Sequence, residues 1–406
     1  MKVLWISHDP IIIVENDASS SSGFWKEALL KALTELPDLN IKVASPANKF
    51  DKTELGEYNF RFPHKKVYRR LPSQTINDLL KIINDFKPHL IHIHGTEKPY
   101  GLLKKYTNIP IIISLQGFYS ESFNSLLGEI SLPTWNKEKT FKELILKNSF
   151  IDLHKNWFYY SAIEKEIVKI NKYFIGRTEF DKQFVYKYNK NAKYFIGYEL
   201  LRDEFYNSTW DIKNIKRHSI YISSFKSPLK GFHILLEAIN YLKDEFPDIR
   251  VVVPGTLNKR MINKTFGNSY FRIIKNMIIK YDLENNINFT GILNAKQISE
   301  ILKETNVFVL PSLIENSSNA LGEAQLGGTP CIVSDNCGGI DSIITGDVNG
   351  LKFRKGDSYQ LANRIKQIFE KNDLAIFLSA NSKEFACKFY NKKIIKKQYA
   401  GIYRQI

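Results

Sequence analysis

Two periodicities alternate along the chain: short apolar runs of four to seven residues, and longer stretches with apolar residues at helical spacing. In the first half, residues 3–7 read as a buried strand and 24–36 as an amphipathic helix. Residues 41–44 predict a second strand, and 76–86 a helix that stops before Pro88. Residues 90–94 and 111–115 predict two more strands, running into the glycine-bearing loops His94-Gly95 and Gln116-Gly117. Strands that alternate with helices pair in parallel, and such sheets bind ligands at the loops beyond their carboxyl ends. Glycine at those places lets the backbone approach a ligand closely.

The alternation lapses over 203–217 (DEFYNSTWDIKNIKR), which reads as a linker. It then resumes. Strands are predicted at 219–223, 249–253, 287–290, 307–310 and 330–333. Helices are predicted at 232–243, 268–280, 295–304, 318–327 and 358–371, with a short one from about Asp341. A last helix is expected at 392–404. The pattern predicts two facing doubly wound, Rossmann-like domains, 1–205 and 206–390, with 391–406 as a C-terminal helix following the second. Two such domains would form a cleft suited to a ligand.

The length of 406 residues favours two cores over one. No run nears the ~18 apolar residues of a membrane span. The opening apolar run is too short for a signal peptide and is cut by His8-Asp9-Pro10, so a cytoplasmic protein is expected. Cys331, Cys337 and Cys387 form neither a metal-ligand spacing nor an even disulfide set. The formal charge of +16 is spread over both halves, with denser stretches at 61–70 (RFPHKKVYRR) and 383–404. For the second stretch a solvated basic surface is the better reading. For the first, with its interleaved aromatics, the better reading is attraction to phospholipid headgroups or a phosphate-bearing acceptor. No nucleic-acid-binding module accompanies the charge.

The chemistry concentrates in Glu315-Asn-Ser-Ser-Asn-Ala-Leu-Gly-Glu323, which follows an apolar strand and leads into a helix. Free N–H groups at that helix start, with Ser317, Ser318 and Asn319, suit a diphosphate, and a glutamate inside the helix suits ribose hydroxyls. Taken alone, the two carboxylates are better read as a ligand-free cap. The wider segment PSLIENSSNALGEAQLGGTPCIVSDNCGGIDSIITGDVNGLKF resembles the donor-binding block of glycosyltransferase family 4. YISSFKSPLKGFHILLEAI resembles that family's strand–loop–Lys-Gly–helix element. GFWKEALLKAL, PHLIHIHGTEKPYGL, SLQG and YFIGRTEFDKQFVYKYNKNAKYFIGYELLRDEFY are similar to its bacterial surface-polysaccharide branch.

The resemblance implies the GT-B architecture and metal-independent, retaining transfer of a sugar from a nucleotide diphosphate, most often UDP. The acceptor would be a glycan or lipid-linked saccharide, with no cofactor; the basic stretch at 61–70 suits peripheral contact with the inner face of the membrane. It implies that Lys230 contacts the diphosphate, Glu323 the ribose, and Glu315 the underside of the sugar. Gly23, Lys226, Gln116 and the 291–294 loop with Leu293 would complete the donor site. His94 would stand at the reacting face. Glu97, Arg177 and Arg202 are candidate acceptor contacts, although a structural ion pair explains the arginines equally well.

The sequence departs from the family pattern in three places. Ser224 stands where an arginine usually precedes the lysine, so the second phosphate contact falls to Lys226, Arg177 or Arg202. Asn316 and Ser318 replace a pair of glycines, as in the polysaccharide branch. Gln116 replaces a histidine, and an amide cannot transfer a proton as an acid or base. There is no Asp-x-Asp, no zinc-ligand cluster, no P-loop and no nicotinamide fingerprint. A non-catalytic nucleotide-sugar binder, or an epimerase on the same fold, remains the alternative.

Overall fold

A computed structural model describes residues 1–9, 11, 24–48, 50–52, 57–63 and 69–406. Gly23 and residues 64–68 of the basic stretch lie outside them. The chain divides into two units. Unit one comprises Met1–Glu121, Asn156–Leu201 and Tyr390–Ile406; unit two comprises Ser122–Lys155 and Arg202–Phe389.

Among its described residues unit one holds eight strands: β1 (Lys2–Ile6), β2 (Asn40–Ala47), β3 (Asp51–Lys52), β4 (Tyr58–Arg61), β5 (Leu90–His94), β6 (Ile111–Ser114), β7 (Tyr173–Gly176) and β8 (Lys193–Ile196). Their order is β3-β4-β2-β1-β5-β6-β7-β8, parallel throughout except for the short β3 at the edge. β1 lies between β2 and β5, with Val3 opposite both Ile41 and Leu90. A central parallel strand is covered on both faces and needs apolar residues on each. Accordingly Leu4 and Ile6 enter one core layer with Ile91, Ile93, Ile111 and Ile113, while Val3 and Trp5 enter the other with Ile41, Val43 and Ile112.

The second layer is completed by the last helix, Lys392–Arg404, through Ile395, Tyr399 and Tyr403. The Tyr403 hydroxyl accepts from Trp5 Nε1 at 3.1 Å and lies 2.6 Å from His92 Nδ1; His92 Nε2 is 2.6 Å from the Ser114 hydroxyl. His92 is thus a core residue, as its alternation with apolar neighbours predicts. The terminal helix, expected to follow the second domain, belongs to unit one. Tyr403 has its partners on β1 and β5, in Trp5 and His92, and the Tyr399 ring also lies against His92.

Unit two holds six parallel strands: β9 (Lys216–Tyr221), β10 (Arg250–Val253), β11 (Ile287–Phe289), β12 (Thr305–Leu310), β13 (Cys331–Asp335) and β14 (Leu351–Arg354). Their order is β11-β10-β9-β12-β13-β14. Residues 122–155, expected within the first domain, cluster here instead. Trp135 and Phe150 pack on Tyr270, and His233 Nε2 lies 2.7 Å from the Gly128 carbonyl. The stretch read as a linker is also tied down: Trp210 is buried, and its Nε1 donates to the Thr305 carbonyl at 2.7 Å.

Several elements went unread in the sequence, among them β4, β7, β8 and the helices Phe150–Ile170, Glu179–Tyr188 and Asn372–Phe389. Phe150–Ile170 is aromatic on several sides, so no single stripe marks its buried face.

Burial pushes the His92 imidazole down to about 3 and that of His233 to about 4. Both are neutral in the fold, whereas an unfolded histidine titrates near 6.5. The unfolded chain therefore binds more protons once the pH falls below that value. Stability is expected to fall from about pH 6.5 downward by up to about 1.4 kcal/mol per pH unit for each imidazole, until the folded values are reached. Denaturant titrations over this window check it, and His92→Asn should flatten the slope.

Candidate active site

In unit two the strand order reverses beside β9. The strands β10 and β11 lie on one side of it, and β12, β13 and β14 on the other. Crossovers that leave β9 and β12 in opposite directions open a crevice at the carboxyl ends of those two strands. The loops that follow them, 222–231 and 311–318, carry the charged residues.

The loop after β9 closes with the 3-10 turn Pro228–Lys230, whose Ser227 side chain accepts from the Leu229 N–H. Gly231 then takes φ +68°, and a Cβ placed there would come within 1.8 Å of the Pro311 carbonyl oxygen. Only glycine allows this approach of two loop backbones. The Leu313 N–H completes the seam by donating to the Leu229 carbonyl at 2.8 Å. Lys230 and Glu315 are thereby brought together: the lysine ammonium donates to Glu315 Oε1, and the Ser312 hydroxyl donates to the same oxygen at 2.8 Å. The Glu315 backbone is fixed as well, its N–H donating to the Cys337 carbonyl at 2.7 Å and its carbonyl accepting from Gly339 at 2.8 Å.

From this loop the chain enters the helix Asn319–Gly327, capped by the Ser318 hydroxyl, which accepts from the Leu321 N–H at 3.3 Å. Ser318 is buried, while Ser317 and Asn319 are half-buried. Glu323 lies inside the helix with its carboxylate gripped by Arg202 through two bonds of 2.6 Å, from Nε and from Nη2. Burial pushes the Glu323 carboxyl up from its ordinary range, and Arg202 opposes that shift. Arg202, weighed as an acceptor contact, a phosphate contact or a structural ion pair, is paired here with the residue expected to hold ribose. A carboxylate offers about four acceptor positions, and Arg202 takes two.

Lys226 is exposed on the β9 loop. Ser224, standing in the usual arginine position, turns that loop by accepting from the Lys226 N–H at 3.4 Å. Gly255 and Gly291 pair backbone to backbone and join the loops after β10 and β11. Leu293 is half-buried just beyond.

A second group gathers at the carboxyl ends of β5, β6 and β7 in unit one. Glu97 folds back to accept from the Gly117 N–H at 3.0 Å, and burial pushes its carboxyl up. Gly95, at φ +94°, makes room: a Cβ there would lie 2.0 Å from Glu97 Oε2. Arg177 is buried against Glu199 and donates to the Leu115 carbonyl at 3.0 Å, so the structural ion pair is what the fold shows for it. The Gln116 amide donates to Glu199 at 3.3 Å. His94, expected to line an open cleft, is instead buried among Trp5, Trp25 and His92, and neither ring nitrogen is bonded among the described residues. Burial holds its imidazole well below the ordinary range, so it is neutral at pH 7.

Two residues escaped the sequence reading, Lys26 and Ser312. Lys26 is buried, donates to the Ser7 hydroxyl at 2.9 Å and stands 3.7 Å from Asp9; burial lowers its pKa. The available signal was a lysine at i, i+3, i+4 and i+7 spacing with Leu29, Leu30 and Leu33, on the apolar face of its helix. Ser312 carries no such mark.

Residues 206–385, all within unit two, match the family model described as Glycosyl transferases group 1. An uncharacterized glycosyltransferase of Methanocaldococcus jannaschii is 25% identical over 361 residues, covering 85% of this chain and 86% of the relative. The capsular polysaccharide biosynthesis glycosyltransferase CapM of Staphylococcus aureus is 23% identical over 177 residues, covering 43% of this chain and 42% of its own. Among solved structures, sucrose-phosphate synthase of Thermosynechococcus elongatus superposes with a TM-score of 0.74 at 16% identity, covering 100% of this chain and 98% of that one. HepE of Anabaena, solved in complex with UDP-glucose, gives 0.69 at 15% identity, covering 100% of both chains. Two parallel-sheet α/β domains are the architecture of GT-B glycosyltransferases, and these likenesses support an enzyme that transfers sugar.

Arg202 and Glu323 lend themselves to a double-mutant cycle. Arg202→Met strands a buried carboxylate and is expected to cost roughly 2–4 kcal/mol in a denaturant melt. Adding Glu323→Gln should recover a good part of that loss, because the charge goes with its partner.

Proposed function

We propose that the protein transfers a sugar from a nucleoside-diphosphate sugar, UDP-linked, to a hydroxyl of a glycan or lipid-linked saccharide. Its setting is surface-polysaccharide assembly, in the manner of glycosyltransferase family 4. The observation that carries the reading is the pairing of Lys230 with Glu315, and of Arg202 with Glu323, around one helix N-terminus at the β9/β12 reversal. A cation and free N–H groups suit a diphosphate, and a fixed carboxylate suits the two ribose hydroxyls. The complexes of HepE with UDP and with UDP-glucose support a uridine nucleotide, and the name of CapM supports a polysaccharide acceptor.

In this reading the acceptor oxygen bonds to the anomeric carbon on the face from which the diphosphate departs, and the carbon–oxygen bond to the β-phosphate breaks. The acceptor proton passes to a leaving diphosphate oxygen, and the nucleoside diphosphate carries it away. Lys230 and the amides at the start of Asn319–Gly327 stabilise the charge that grows on the diphosphate, so no metal ion is needed. Glu315, held by Lys230 and Ser312, faces the sugar. Burial keeps His94 neutral and the Gln116 amide does not titrate, so neither serves as an acid or base.

UDP should raise the melting temperature of the wild type and leave Glu323→Ala unmoved. Lys230→Ala should lower turnover with UDP-sugar and an acceptor panel by at least about a hundredfold. Near-normal turnover in either variant rejects the donor site. Nucleotide binding without product over the whole panel points to a binder without transfer. Turnover of the nucleotide sugar without acceptor points to an epimerase.

A further inference from the structure

Unit two carries an apolar surface that its own core does not explain. The short helix Phe141–Leu146 presents Phe141, Leu144 and Ile145 at i, i+3 and i+4, exposed by 58%, 56% and 62%. Beside it runs 263–267, joined to the helix start by bonds from the Phe141 N–H to the Lys264 carbonyl at 3.0 Å and from the Lys142 N–H to the Thr265 carbonyl at 2.8 Å. Phe266, 66% exposed, extends the same edge. Large apolar side chains clustered in water mark an interaction site more often than chance exposure.

The charges around this patch have one sign. Lys137, Lys142, Lys147 and Lys264 are all exposed, and none belongs to an ion pair among the described residues. The stretches 131–147 and 257–267 contain two carboxylates, Glu138 and Glu143, and both are turned inward. Glu138 pairs with Arg272 at 2.8 Å. Glu143 caps its own helix, accepting from the Thr140 N–H at 2.9 Å, and accepts from the Ser269 N–H and hydroxyl at 3.0 Å each. The helix is therefore inverted relative to an ordinary surface helix, with carboxylate inside and hydrocarbon outside.

We infer that this face docks on an anionic phospholipid bilayer. Phe141, Leu144, Ile145 and Phe266 would enter the headgroup–acyl boundary while the ring of lysines meets lipid phosphates. The charge complementarity selects a lipid surface over a second copy of the chain, whose own lysines would face these. The inference does not depend on the sugar-transfer reading.

The test is co-sedimentation with phosphatidylcholine vesicles made with and without phosphatidylglycerol. The wild type should pellet with the anionic vesicles alone, and added salt should weaken it. Leu144→Ser/Ile145→Ser and, separately, Lys142→Gln/Lys147→Gln/Lys264→Gln should each reduce the bound fraction at least about tenfold while melting as the wild type does. Equal pelleting with both vesicle types, pelleting with neither, or variants that pellet like the wild type overturns the proposal. A wild-type dimer in gel filtration that Leu144→Ser/Ile145→Ser converts to monomer overturns it in favour of self-association.

Discussion

A parallel sheet whose strand order reverses cannot fill the space above the reversal. In unit two that reversal lies between β9 and β12, and the account of this molecule depends on what fills it. The backbones of two loops meet there at Gly231 and Pro311, closer than any residue with a Cβ allows. That contact sets Lys230 beside Glu315 and fixes the start of the helix that carries Glu323. With a side chain at position 231 the two loops would separate, and the charges would lose their common focus.

The charges that gather at the strand ends are managed in the same way in both units. A carboxylate taken out of water needs a cation or a set of N–H and O–H donors. Glu315 has Lys230 and Ser312, Glu323 has Arg202, Glu199 has Arg177, and Glu97 has the Gly117 amide. Glu164 accepts from the Tyr119 and Ser120 amides and the Ser120 hydroxyl, and burial still pushes its carboxyl up to about 7. These pairs and bonds hold the side chains in single orientations, as positioned chemistry requires. Histidine takes the opposite course: His92, His94 and His233 are kept neutral by burial.

The strands were legible because a doubly covered parallel strand needs apolar residues on both faces, and β1, β5, β6, β12 and β13 are each built on a short apolar run. The E-x₇-E block was legible because its spacing places two carboxylates about a helix start. Three things were hidden, each for a physical reason. The pairing of Arg202 with Glu323 joins residues 121 positions apart, and no local pattern records it. The return of Lys392–Arg404 to the first sheet depends on tyrosines whose hydroxyls find partners only in three dimensions. The placement of 122–155 in unit two rests on Trp135 and Phe150, aromatic anchors that a periodicity scan cannot assign to one core or another. Lys26 was the exception, since a lysine on an apolar helix face is visible in the sequence.

The central claim is that the reversal beside β9 holds a nucleoside diphosphate. Amide hydrogen exchange with and without UDP tests it most directly, because the proposed ligands include backbone N–H groups. UDP is predicted to slow exchange at the Lys230 turn and over 315–324, while the patch at 141–146 exchanges as before. Slowing confined to other loops, or no change anywhere at saturating UDP, would contradict the account.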